Sequence, residues 1–238
     1  MFSRRAFLAS AAAAPVFSGN LATAAAAPRS ARLQPLSAAA QGISLTERNA
    51  RIARLQSLMS QQKIGALLVE SGSSLAYFTG IQWRRSERTT AAIIPASGEI
   101  IVVTPAFEEP SVRETLQVAG DVRPWNEHES PFERIVQGLR DRLMASGTVA
   151  IESTTRFFIV DGIRRVSSAY EMVSADALVR ACRLIKSPAE LALLQIANTI
   201  TIEALRHVHR HVQRGMTPAD LGPLMNSATK SLGGSPEF

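Results

Sequence analysis

Ile185-Lys186-Ser187-Pro188-Ala189-Glu190-Leu191 decides how this chain is divided. Ser187 suits the N-cap of a helix, and Pro188 suits the first helical position, where a missing N–H costs nothing. Glu190 stands three residues after the cap and can close a capping box onto it. Leu193, Ile196, Ala197, Ile200, Ala204, Val208 and Val212 then recur at steps of three and four, so the spacing predicts a long amphipathic helix with one apolar stripe. It is expected to stop by Gly215, and Thr217-Pro218-Ala219-Asp220 opens a second helix with the same grammar. A capped helix of this length, arriving after a run of mixed strand and helix signals, reads as the first element of a second domain.

Upstream of that junction the pattern alternates. A helix is expected from Thr46, with Ile52, Leu55, Leu58 and Met59 on one face, and a buried strand over 64–69. Two β-rich runs, 89–94 and 99–103, flank Pro95-Ala96-Ser97-Gly98 and read as a hairpin with a longer loop. Helices are expected over 107–119, from Ser130-Pro131-Phe132-Glu133 to about 145, over 154–167 and over 176–184. Short strands are expected at 122–125, 148–152 and 170–173. Strands alternating with helices around one hairpin give an α/β fold, a mixed sheet flanked by helices.

Composition excludes some functions. With 46% hydrophobic and 19% charged residues, the 238-residue chain is ordinary globular material. The formal charge is +6, but all but three of the 26 basic residues are Arg, scattered among acids rather than gathered into a stripe with aromatics. Nucleic-acid binding is not expected. The 70–74 loop lacks the glycine spacing of a phosphate cradle. One cysteine, Cys182, allows no internal disulfide; flanked by Arg180 and Arg183, it reads as a small apolar helix residue.

The N-terminus reads as an export signal. Ser3-Arg4-Arg5-Ala6-Phe7-Leu8 is a twin-arginine motif, followed by an apolar run through Phe17 that is too short to span a bilayer. Small residues up to Ala27 offer cleavage sites, and no cysteine nearby supports a lipid anchor. The expectation is a signal peptide over 1–27, a disordered linker over 28–43, and a periplasmic or secreted product with no membrane anchor.

Five segments in order resemble the creatinase/prolidase superfamily, which includes the Xaa-Pro dipeptidases and aminopeptidases. They are the Tyr77-Phe78-Thr79-Gly80 turn, Ser86-Glu87-Arg88-Thr89, Pro95-Ala96-Ser97-Gly98-Glu99, Ile185-Lys186-Ser187-Pro188-Ala189-Glu190 and Gly215-Met216-Thr217-Pro218. The resemblance implies a family N-terminal domain over 44–185 and the first helices of a pita-bread metallopeptidase domain over 186–238. It also implies a proline-containing peptide substrate, a homodimer, and two divalent ions of the Mn, Co or Zn type held by two Asp, one His and two Glu. Between two such cations a bridging water is acidified and attacks the bond before proline. No Asp, His or Glu here can be matched to those ligands, so hydrolysis is expected of a complete gene product and this chain alone is expected to be inactive. Two other readings are a non-catalytic peptide- or protein-binding module and a creatinase-like hydrolase or lyase of the same fold.

Three polar constellations stand out. Glu203, His207 and His211 share one helix face, and Glu127-His128-Glu129 clusters in a turn. Two His four apart can bind zinc, but each group is more simply a solvated polar face. The third is the dense polar segment of Trp83, Arg84, Arg85, Glu87 and Arg88. In the family, loops of this domain reach a partner subunit's active site, so these five are candidate substrate or partner contacts. An Arg among them can pair with a peptide carboxylate in bidentate fashion.

Overall fold

In the computed structural model, residues 33–143 and 146–235 are described. The predicted signal peptide, and the linker as far as residue 32, lie outside them.

Six strands form one sheet: β1 (Ala66–Glu70), β2 (Ala91–Pro95), β3 (Ile100–Pro105), β4 (Gly120–Trp125), β5 (Gly147–Ile151) and β6 (Tyr170–Ser174), in the order β4-β3-β2-β1-β5-β6. Every neighbouring pair is parallel except the two made by β2, which runs antiparallel to β1 and to β3. The predicted hairpin is therefore β2–β3, inserted into an otherwise parallel sheet.

Helices cover both faces, because the central strands alternate apolar side chains above and below. Leu67 and Val69 of β1 face one core with Leu55 and Met59 of α1 (Leu45–Gln61), Leu75 and Phe78 of α2 (Ser73–Thr79), Val112 of α3 (Glu109–Thr115) and Leu178 of α6 (Asp176–Arg183). Ala66 and Leu68 face the other, with Ile135 and Leu139 of α4 (Pro131–Leu143) and Ile159 and Ile163 of α5 (Phe157–Val166). A strand buried on both faces reads as a continuous apolar run, which is what made these segments visible in the sequence.

Several boundaries differ from expectation. The first helix is capped by Ser44, whose hydroxyl accepts from the Glu47 N–H at 3.2 Å, so it starts at Leu45 rather than Thr46. The Tyr77–Gly80 turn is the end of α2, closed by Gly80 at φ 86°. The helix expected over 107–119 is a 3-10 turn (Ala106–Glu108) followed by α3. It ends at Thr115, and the Gln117 N–H then goes to the Thr79 carbonyl. The helix expected from Thr154 begins at Phe157, because Arg156 is extended (ψ 139°) and its side chain is engaged elsewhere.

Beyond the sheet, α7 (Pro188–His211) and α8 (Pro218–Ser231) form a helical hairpin. The capping box is present: Ser187 accepts from the Glu190 N–H at 3.1 Å and Glu190 accepts from the Ser187 N–H at 2.8 Å. Of the predicted stripe, Ile200, Ala204 and Val208 are buried, whereas Ala197 and Val212 are exposed, Val212 lying past the helix end in extended backbone. The residues before α1 are held as well. Leu36 donates to the Leu232 carbonyl at 2.9 Å, a 3-10 turn spans Ser37–Ala39, and Ser37 lies against Gly233. This part of the segment expected as a disordered linker is a strap across the end of α8. Among the described residues no helix is long and apolar enough to cross a membrane.

The junction carries a polar latch between α1 and α7. The Arg51 guanidinium donates to Glu47 Oε1 at 2.8 Å, to Glu190 Oε1 at 3.1 Å and to the Tyr77 carbonyl at 3.0 Å. It also lies 4.1 Å from the centroid of the Tyr77 ring. The Ser187 hydroxyl donates to Glu47 Oε1 at 2.7 Å. Burial pushes the Glu47 carboxyl up, but the Ser187 hydroxyl and the Arg51 guanidinium outweigh it and hold Glu47 below the usual carboxylate range. The capping box that starts α7 is thus also gripped from α1.

Candidate functional site

The segment 83–88 leads into β2 and lies at the carboxyl edge of β1, β3 and β5. In open α/β sheets that edge is where ligands collect. Neighbouring residues hold it there. Trp83 is half-buried against the core below, and its Nε1–H donates to Glu108 Oε2 at 3.0 Å. Glu108 also accepts from the Thr90 hydroxyl at 3.2 Å. Arg85 donates to the Ser71 carbonyl at 3.0 Å and the Thr154 carbonyl at 2.8 Å. Arg88 pairs with its neighbour Glu87 and, at 2.8 Å, with Glu127. Its guanidinium sits 5.1 Å from the Phe107 ring centroid. The hydrogen bond to Glu127 raises Arg88 above the ordinary guanidinium value, so it is a fixed cation. Arg84 is exposed and has no hydrogen-bond or ion-pair partner among the described residues.

The structure therefore brings the five predicted residues onto one edge but gives them different work. Trp83, Arg85 and Arg88 hold the segment down, Glu87 neutralises Arg88, and Arg84 is free to meet something else. Sequence reasoning missed two residues that complete the arrangement. Glu70, at the end of β1, is only 3% exposed. It accepts from Arg156 Nε at 2.5 Å and from the Arg156 N–H at 3.1 Å. Arg156 in turn donates to the carbonyls of Ser86 and Arg88. No spacing rule links positions 70, 86 and 156; only the sheet order, with β1 beside β5, brings them together.

The other constellations divide among separate partners. Glu127 is taken by Arg88; Glu129 by the Asn126 N–H at 2.7 Å and by Arg134 at 2.5 Å. On α7, Glu203 pairs with Arg206 at 2.6 Å. The His207 and His211 rings stack with centroids 4.2 Å apart, and His211 Nδ1 lies 2.7 Å from the His207 carbonyl. Burial, then His211 and Arg210, push His207 below the ordinary imidazole value. Near-parallel rings direct their nitrogen lone pairs alongside one another rather than at a common ion. Among the described residues no group of three or more His, Cys, Asp or Glu is placed to hold a metal ion, so these residues do not fit the dinuclear centre that the resemblance implies. Cys182 is buried in α6, and burial pushes its thiol up.

Fold and site together define an open α/β domain with one inserted antiparallel strand and a stapled polar segment at its carboxyl edge. The family profile described as the creatinase/prolidase N-terminal domain matches residues 51–185, more than half of the chain, and the chain belongs to that family. It is 30% identical over 215 residues to a peptidase of Schizosaccharomyces pombe described as uncharacterized, covering 84% of this chain and 46% of that protein. Among solved structures it is similar in fold to a recombinant prolidase from Thermococcus sibiricus (18% identity, TM-score 0.71, 82% of this chain and 52% of that one). It is also similar to the dipeptidase PepE from Mycobacterium ulcerans (22% identity, TM-score 0.66, 81% and 51%). The chain spans about half the length of these relatives. The family and the mixed-sheet fold expected from the sequence are both found.

Proposed function

We propose that this chain is the positioning half of an exported Xaa-Pro metallopeptidase, which hydrolyses the bond before proline, and that it holds none of the ligands of the dinuclear metal centre. The observation that carries this reading is α7. It buries Ile200, Ala204 and Val208 on one face and exposes Leu191, Leu194, Ile202 and Leu205 on another. A helix apolar on two sides belongs inside a larger core than the one present. Family membership and relatives about twice as long support a peptidase domain as that core. Arg84 then serves as a contact for the carboxylate of a peptide substrate. The twin-arginine motif supports export to the periplasm or beyond, and the proposed whole is a homodimer using two divalent ions.

The test has two arms. The purified 238-residue chain is titrated with Mn²⁺ and assayed on Ala-Pro and Ala-Ala dipeptides; neither stoichiometric metal nor turnover is expected. The transcript is then sequenced past the Phe238 codon and its whole product assayed. Metal-dependent cleavage of Ala-Pro but not Ala-Ala is expected. Turnover by the 238 residues themselves would refute the positioning role, and an in-frame stop directly after Phe238 would refute the peptidase reading. For export, Arg4→Lys with Arg5→Lys in a reporter fused after the signal region is expected to trap the reporter inside the cell.

A further inference from the structure

We propose that Glu70 and Arg156 are the positioning residues of the 83–88 segment. One guanidinium, anchored on a buried carboxylate, clamps the Ser86 and Arg88 carbonyls and so fixes the direction in which Arg84 is offered. Three observations converge on this. Glu70 is almost fully buried at a strand end, where an unpaired carboxylate is strongly disfavoured, and Arg156 meets it through both its backbone N–H and its side chain. The same guanidinium also donates to two carbonyls of the segment, those of Ser86 and Arg88, which calls for the planar, multi-donor fork of Arg. A second staple crosses in the opposite direction. Arg85 leaves the segment to hold the Ser71 carbonyl, next to Glu70, and the Thr154 carbonyl, two residues before Arg156.

Such an arrangement is poorly explained as a source of stability, since a buried ion pair often does no better than apolar packing of the same volume. It is well explained as a device for specifying one backbone conformation. The segment has no helix or strand of its own over 83–88. Its geometry is set from outside, by the ends of β1 and of the β5–α5 connection. What Arg84 meets rests on the proposed peptide contact; the clamp does not, and is measured without peptide.

Arg156→Lys keeps a cation for Glu70 but cannot reach both carbonyls, and Glu70→Gln keeps the shape but removes the anchor's charge. Hydrogen exchange of the full 238-residue chain is expected to quicken about tenfold at the amides of 84–88 in either variant, with the β1 and β2 amides unchanged. In a Trp125→Phe background, where Trp83 alone fluoresces, the emission is expected to shift to the red and acrylamide quenching to rise. A variant that merely loses packing would instead speed exchange across β1 and β2 as well, which would overturn the proposal. So would unchanged exchange at 84–88 in a folded Arg156→Lys protein. If Arg156→Lys does not fold, Glu70→Gln decides by the same criteria. In the complete peptidase, a quickened segment with an unaltered KM for Ala-Pro would sink the peptide contact and leave the clamp standing, whereas an unchanged segment sinks the clamp whatever the kinetics.

Discussion

Arg51→Met tests whether the junction latch holds α7 onto the sheet domain. Arg51 is 8% exposed, and it is the cation between Glu47 and Glu190, whose side chains are 21% and 16% exposed. Methionine approximates its aliphatic length but removes every donor. The substitution loses two charge-assisted bonds, one bond to the Tyr77 carbonyl and the stacking over the Tyr77 ring. It also leaves two carboxylates facing each other. Breaking a fully buried pair costs roughly 3–5 kcal/mol. Partial exposure of both carboxylates lets water recover part of that, so about 2–3 kcal/mol is expected here. For a chain of this size that lowers Tm by roughly 5–10 °C. The assay is urea unfolding followed by far-UV circular dichroism, run on Arg51→Met, Glu190→Gln and the double variant. A coupling of about 1 kcal/mol or more between the two sites is expected. A loss below about 0.5 kcal/mol, within the range of ordinary surface substitutions, or additive single effects, would refute the latch.

The remaining predictions use other parts of the molecule. Because Glu47's carboxyl is lowered in the folded chain, the stability it contributes is present above the unfolded carboxylate value and is lost as pH falls through the lowered one; Glu47→Gln is expected to flatten the acid limb of a stability-versus-pH profile below about pH 4.5. Gly233→Ala places a Cβ 1.9 Å from the Ser37 hydroxyl oxygen at φ 85°, so the strap is expected to detach at a cost of roughly 1–2 kcal/mol, read as faster hydrogen exchange at the end of α8. Cys182 is expected to resist a thiol reagent in the native chain and to react on unfolding; rapid native labelling would contradict its placement in the core.

Much of the fold was legible because its signals are local. The two central strands and the hairpin are built mostly of Ala, Ile, Leu and Val, and burial on both faces permits such continuity. The α7 start was legible because Ser187, Pro188 and Glu190 act on one another within three residues. Boundaries failed where a distant partner decided them. Arg156 directly precedes helical residues, yet it stays extended to reach Glu70, and α5 starts three residues later than expected. The helix after Phe107 stops early because the chain turns to bond the end of α2. The site behaves the same way. A dense polar segment was visible at 83–88, but residue type alone could not separate the Arg that is free from those that are staples. That distinction depends on Ser71, Thr154 and Glu127, which lie 14 to 69 residues away.

The two polar devices bear on one another through the sheet. Glu70 ends β1, and β1 sits beside β5, whose exit carries Arg156; this fixes the 83–88 segment to the carboxyl edge. At the same edge α2 begins, and the Tyr77 carbonyl near its end receives Arg51, which reaches α7 through Glu190. The path from Arg84 to the start of α7 therefore runs through strands and short helices rather than through a flexible linker. Under the proposed function this matters because α7 carries the uncovered leucines. Whatever buries Leu191 and Leu194 takes its orientation from a helix whose first turn is gripped by α1. A loose junction would let the covering mass wander relative to Arg84. On that proposal, a latched junction keeps Arg84 and the proposed reactive centre in a single register, and that is the physical content of proposing this chain as a positioning half.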